Sequence, residues 1–163
     1  MDELFAPPGE AWTPVSPALA RLRRTVLLVL LGFACVAVLV ARLFFGLHPT
    51  LTGGLLALAV LVGGLGWEGI GRNARRWGYA EREDELYIKH GAVFRRLVAV
   101  PYGRMQYVDV EAGPLDQMFG IAGVHLHTAS PGTSARIPGL TAAEAARLRD
   151  RLTALGEAQA AGL

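Results

Sequence analysis

Hydrophobic and polar positions divide the chain into two regimes. Thr25 to Ala41 carries no charge; after Arg42 the apolar run resumes as Leu43-Phe44-Phe45, and Thr50 to Trp67 is almost as apolar. Each run approaches the ~20 residues that a helix needs to cross a hydrocarbon core of about 30 Å. Only Gly46-Leu47-His48-Pro49 separates them, a short turn. A cleavable signal would have a shorter apolar core and no second span directly behind it. Two helices apolar on every side would also exceed what the rest of so small a chain could cover. The pattern predicts a transmembrane hairpin.

From Trp77 onward the period changes to two. Leu86 and Ile88 alternate with Tyr87 and Lys89, and His90-Gly91 supplies a turn before a returning strand over 93–100. Pro101 stops that strand, and Tyr102-Gly103-Arg104 reads as a turn. Val108 and Val110 face one way, with Tyr107, Asp109 and Glu111 on the other side, until Gly113-Pro114 interrupts. A strand is expected over 123–129, a loop tip over Ser130–Ser134, and a short strand at Arg136-Ile137. Thr141-Ala-Ala-Glu144 has the form of a capping box, with Thr141 as N-cap and Glu144 reaching back. Leu148, Leu152 and Leu155 then mark the apolar stripe of a final helix. Near the start, Ser16-Pro17 has the form of an N-cap followed by a first-turn proline. The expected organisation is an N-terminal segment with a juxtamembrane helix over 1–24, a two-helix hairpin over 25–67, a basic linker over 68–76 and a mainly β domain over 77–163.

Composition agrees with the membrane reading. Of 163 residues, 52% are hydrophobic and 18% charged, against roughly 45–50% and about 25% in soluble proteins. The net charge of +2 is less informative than its distribution. Seven Lys/Arg and four Asp/Glu fall up to Arg76, against nine and ten beyond it. A near-neutral domain lacks the concentrated basic face that nucleic acid requires. Cys35, the only cysteine, lies in the first span and can form no internal disulfide. Arg21, Arg23 and Arg24 precede the first span, and Arg72, Arg75 and Arg76 follow the second. The turn offers only Arg42 and His48, so the positive-inside rule predicts that both termini are cytoplasmic. Thr52, Ala59, Gly63 and Gly66 in the second span, and Ala34, Ala37 and Ala41 in the first, form small-residue stripes. They suit close packing within the hairpin, or a homo-oligomer through the same seam.

The stretch from Gly78 to Leu148 resembles the bacterial PH-like domains of the YdbS type. The residues that carry the resemblance are Tyr79, Leu86-Tyr87-Ile88 before Gly91, Val100-Pro101-Tyr102, Arg104-Met105-Gln106, Gly113-Pro114-Leu115, Phe119-Gly120 and Thr128-Ala129. A preceding two-helix anchor is also typical of that family. The resemblance implies a PH-like fold, a strongly bent antiparallel sheet of about seven strands closed by a C-terminal helix. It implies no catalytic residue and no cofactor. A longer membrane protein with several such domains is the partner it suggests.

Several groups are candidates for chemistry. Lys89, Arg95 and Arg96 gather around the first hairpin and could meet anionic lipid headgroups, but adjacent Arg95 and Arg96 point to opposite faces. His125 and His127 share one strand face, as a metal pair would, although no third ligand is marked and an ordinary polar face accounts for them. Asp109 and Glu111 also share a face, with no nucleophile beside them. Phosphate loops and nucleophile elbows are absent from the sequence. The expected function is therefore not enzymatic. It is a membrane-anchored binding or assembly module in contact with membrane lipids, whose protein-contact surface is the exposed sheet edge with the Gly113–Phe119 and Ser130–Ser134 loops.

Overall fold

The structure, a computed structural model, describes residues 11–92, 94–128 and 134–160. The chain forms two compact units: Ala20–Arg72, and the residues up to Leu19 together with those from Asn73 onward. The first unit holds most of two long helices, α1 (Ala18–Phe45) and α2 (Pro49–Arg75). Both have the length and hydropathy of membrane spans. Their side chains face outward: Leu43, Phe45 and Val60 are 79%, 84% and 76% exposed. At roughly 25 cal/mol per Å² of apolar surface, only lipid makes such faces tolerable. Between the helices, a Cβ on Gly63 would lie 2.9 Å from the Leu31 side chain, and one on Gly66 2.9 Å from that of Leu27. The small residues of the second span therefore pack inside the hairpin. The expected basic linker is not a linker: helix α2 continues through it to Arg75, since Glu68-Gly-Ile-Gly-Arg72-Asn-Ala-Arg75 contains no proline and Arg72 pairs with Glu68 one turn back at 3.6 Å.

Among the described residues, the second unit has seven strands in two antiparallel sheets. Strands β1 (Thr13–Pro14), β2 (Gly78–Glu81), β3 (Glu85–His90) and β4 (Arg96–Pro101) form one sheet in that order. Strands β5 (Met105–Glu111), β6 (Ile121–Thr128) and β7 (Ala135–Thr141) form the other. Hydrogen bonding is thus split four and three rather than continuous through one sheet. A 3-10 turn at Tyr102–Arg104 connects them, with the Tyr102 ring fully buried. Helix α4 (Ala142–Ala160) packs against β5, β6 and β7. Ala145, Leu148 and Leu152 have no exposed surface, whereas Leu155 is only half-buried. The core adds Tyr79, Leu86, Ile88, Val100, Val124, Leu126, Ile137 and Leu140.

The largest departure from the expected domain limits lies at the N-terminus. Thr13 pairs with Tyr79 and Pro14 with Gly78, so the segment before the first span supplies a strand. Val15, Ala18 and Leu19 are buried, and the Ser16 N–H donates to the Gly139 carbonyl at 2.8 Å. The domain therefore begins before the hairpin, not at residue 77, and the hairpin is an insertion between β1 and β2. Two residues show no strand alternation, so only pairing with β2 reveals β1. The Ser16 hydroxyl accepts the Ala18 N–H at 3.2 Å, and α1 starts there as expected.

Three smaller corrections have local causes. Strand β7 runs through Pro138-Gly139 because it is a sheet edge, where a missing N–H costs nothing. Gly139 takes a left-handed φ of 71°, and a Cβ there would sit 2.6 Å from that of Leu19. The 113–119 segment is not a loop, since it contains a short helix, α3 (Pro114–Met118). The Thr141 hydroxyl does cap α4, accepting the Glu144 N–H at 3.3 Å, while the Glu144 carboxylate accepts from Tyr79 and Arg147.

Candidate functional site

Two surfaces combine exposed apolar groups with fixed backbone, and a third carries the titratable face. The first is the β3–β4 hairpin. Gly91 adopts φ 98°, and a Cβ on it would fall 1.9 Å from the Phe94 carbonyl oxygen, so the turn requires glycine. His90 stands opposite Arg96, and Lys89 opposite Leu97. The Lys89 ammonium lies 4.0 Å from the centroid of the Trp12 ring, and burial pushes its pKa down. His90 stacks on Trp77 at 4.7 Å; burial first, and then Arg96, lower its pKa. The hairpin therefore does collect Lys89, Arg95 and Arg96, but the ammonium of Lys89 is directed to the N-terminal segment. Sequence reasoning passed over two residues here: Trp12, which needed the fold to reach Lys89, and Phe94, which is 88% exposed. An aromatic residue between a turn glycine and two arginines was the available signal for Phe94.

The second surface is α3. The Asp116 carboxylate accepts the Gly113 N–H at 3.1 Å, and the Gln117 side-chain amide donates to the Ala112 carbonyl at 3.0 Å. Pro114 opens the helix, and Gly120, with φ 66°, ends it after Phe119. Leu115 and Met118, three residues apart, stay 48% and 78% exposed. The Ser130–Thr133 part of the expected contact surface lies outside the described residues.

The third surface is the outer face of β5 and β6. Asp109 stands opposite His125, and Tyr107 opposite His127. The Tyr107 and His127 rings stack at 4.2 Å. His125 Nε2 lies 3.3 Å from a Glu111 carboxylate oxygen, within ion-pair range for a protonated ring but outside hydrogen-bond geometry. His125 and His127 thus share the face, as their spacing predicts. No three His, Cys, Asp or Glu side chains converge on a metal-sized site among the described residues.

The remaining motif residues serve the fold. Tyr79 is buried and bonded to Glu144, and Thr128 is buried at the end of β6. Pro101 ends β4, and Gln106 borders an open groove of about 340 Å³ between β5 and α4. Among the juxtamembrane arginines, Arg24 is 4.3 Å from the Trp67 ring centroid and donates to the Trp67 carbonyl at 3.3 Å. It joins the two helices as well as carrying charge. Arg21, Arg72, Arg75 and Arg76 are exposed, and Arg23 is half-buried.

Two apolar spans joined to a seven-stranded, helix-capped domain define a membrane-anchored PH-like protein. The chain belongs to the bacterial PH domain family, whose family model matches residues 18–155. It is similar to the UPF0699 transmembrane protein YdbS of Bacillus subtilis (strain 168), with 39% identity over 79 residues. That match covers 48% of this chain and 48% of the relative, about half of each. No solved structure matches it.

Proposed function

We propose that the protein is a binding and assembly module held at the cytoplasmic face of the cell membrane, and that its α3 face contacts a protein partner. The observation that carries this reading is the exposure of Leu115 and Met118 on one side of a turn whose backbone is already fixed. Exposed apolar groups on a preorganised element lose little entropy on binding. A larger membrane protein with several PH-like domains is the partner class that the family suggests. Membrane anchorage supports the reading, because confinement beside a membrane partner raises the effective concentration of a weak contact.

Cytoplasmic placement draws on two features. Pairing of β1 with β2 requires the chain before α1 and the chain after α2 to lie on one side of the membrane. The six arginines flanking the spans favour the cytoplasm for that side.

The protein contact is tested by crosslinking in native membranes with Leu115→Asp and Met118→Asp variants. Recovery of the crosslinked partner should fall while the thermal midpoint is unchanged. The double variant Lys89→Ala/Arg95→Ala should leave recovery intact. Full recovery with both α3 variants would sink the reading.

A further inference from the structure

Strand β5 is a sheet edge. The order β5-β6-β7 gives it one strand neighbour, and β4, which precedes it in the chain, pairs with β3 instead. From Tyr107 to Glu111 its pairing with β6 is regular, each residue standing opposite one of His127 to Gly123. Alternate N–H and C=O groups along that stretch therefore point away from β6, toward a free edge among the described residues. An open groove of about 340 Å³ runs beside the start of this edge. Four consecutive β5 residues, Met105 to Val108, form one wall, and α4 forms the other with Leu152, Gly156 and Glu157. Successive side chains of a strand point to opposite faces, so a groove touched by four in a row lies along the backbone edge and not on one face.

The two faces of that edge differ. Val108 and Val110 stand opposite Leu126 and Val124, which are 1% and 0% exposed, and so belong to the core face. Both valines are only half-buried, since no further strand covers them on the edge side. On the other face Tyr107 stacks on His127, and Asp109 and Glu111 follow at two-residue spacing. The surroundings are acidic. No Lys or Arg occurs between Met105 and Ala135, and none after Arg151. Arg151 is itself engaged by Glu81 at 2.7 Å. Arg136 on β7 lies over Gly123 of the central strand, not at the edge. The edge thus carries Asp109 and Glu111, with Glu157 on the α4 wall, and no cation of its own.

We propose that the β5 edge accepts an extended segment of a protein partner as a fourth strand of this sheet, a segment in which apolar and basic residues alternate. Its main chain pairs with the free N–H and C=O groups between Tyr107 and Glu111. Its apolar side chains cover Val108 and Val110 and enter the groove beside Leu152. Gly156 leaves room for them: a Cβ there would have only the Tyr102 carbonyl oxygen near it, at 3.8 Å. Its Lys or Arg side chains fall on the outer face beside Asp109 and Glu111, where opposite charges across strands attract. A second copy of β5 is the poorer occupant. Edge-to-edge pairing about a two-fold axis perpendicular to the sheet would put the carboxylates of both copies on one continuous face. The edge shares no residue with the Leu115 and Met118 face of α3, so the two contacts stand or fall separately.

The test uses the full chain in nonionic detergent micelles and a short synthetic peptide of alternating Lys and Val, blocked at both ends. Hydrogen exchange along β5 is followed with and without the peptide. The peptide should slow exchange at alternate amides between Tyr107 and Glu111, and the effect should weaken as salt rises. A Glu-Val peptide of the same length should bind at least several-fold more weakly. Methylating the Lys amides of the peptide or its Val amides should abolish binding in one case and spare it in the other, because only alternate N–H groups meet β5. Asp109→Lys and Glu157→Lys should each weaken binding several-fold, and Gly156→Phe, which fills the groove, should remove it. Unslowed exchange along β5, or equal affinity for the Lys-Val and Glu-Val peptides, overturns the proposal. So does protection of the β5 amides that grows with chain concentration in the absence of peptide, which would make the occupant a second copy. Met118→Asp should bind the peptide as the parent chain does; a loss there would put the peptide on α3 and overturn the edge assignment.

Discussion

The phenolic hydroxyl of Tyr79 on β2 donates a hydrogen bond to the carboxylate of Glu144 in the first turn of α4. Arg147, one turn further on, bridges Glu144 at 2.7 Å and Glu81 at 2.6 Å, and Arg151 reaches the other oxygen of Glu81 at 2.7 Å. This network ties the C-terminal helix to the strand that follows the membrane hairpin. Its members lie more than sixty residues apart in sequence.

Burial, and then the bond to Glu144, push the Tyr79 pKa up to about 12. The fold therefore holds a proton that an unfolded tyrosine releases near 10. The stabilisation is complete below pH ~10 and is lost as pH rises through about 12. Denaturant titrations of the detergent-solubilised chain across this window should show falling stability. Tyr79→Phe should reduce that alkaline slope without abolishing it, because burial also raises Tyr102. An unchanged slope would mean that Tyr79 does not hold its proton.

Glu144 behaves with the opposite sign. Arg147 first, and Tyr79 to a lesser degree, hold its carboxyl below the usual range. Its contribution is present above the ordinary carboxylate pKa and is lost as pH falls through the lowered value. Arg147→Ala should flatten the acid limb of the stability profile; a limb identical to that of the parent chain would contradict the network.

Leu152 is completely buried between α4 and the three-stranded sheet. Leu152→Ala should destabilise the domain by about 2–5 kcal/mol, the range for emptying a core leucine site. Measurement by chemical denaturation against Leu155→Ala is a built-in comparison. The half-buried Leu155 should cost clearly less.

The N-terminal strap should be indispensable to the domain. A fragment of residues 77–163 loses β1 and the Leu19–Gly139 contact and should melt below one in which residues 11–19 are joined to 73–163 by a flexible linker. In the full chain, Gly139→Ala should destabilise, since it places a Cβ on a left-handed residue 2.6 Å from Leu19. Equal melting temperatures for the two fragments would contradict the strap.

Reporter fusions at each end test sidedness. Both an N-terminal and a C-terminal reporter should be cytoplasmic, and reporters on opposite sides would break the β1–β2 pairing on which the domain depends.

The sequence by itself determined the spans, the strand-rich domain and the helix that closes it. Each is written in local periodicity: uncharged runs of bilayer length, alternation along β3 and β6, and leucines at 148 and 152. The turn chemistry at Gly91 and Gly113-Pro114 was legible for the same reason, because a glycine or proline constrains its own backbone. Tertiary structure alone decided that Thr13-Pro14 is a strand, that the membrane hairpin interrupts the domain, and that Glu144 serves Tyr79 and Arg147. Those features depend on residues brought together across long loops, and a two-residue strand or a single carboxylate has no period to read. Only three dimensions separate Lys89, held by Trp12, from Phe94, left uncovered at the tip of the same hairpin.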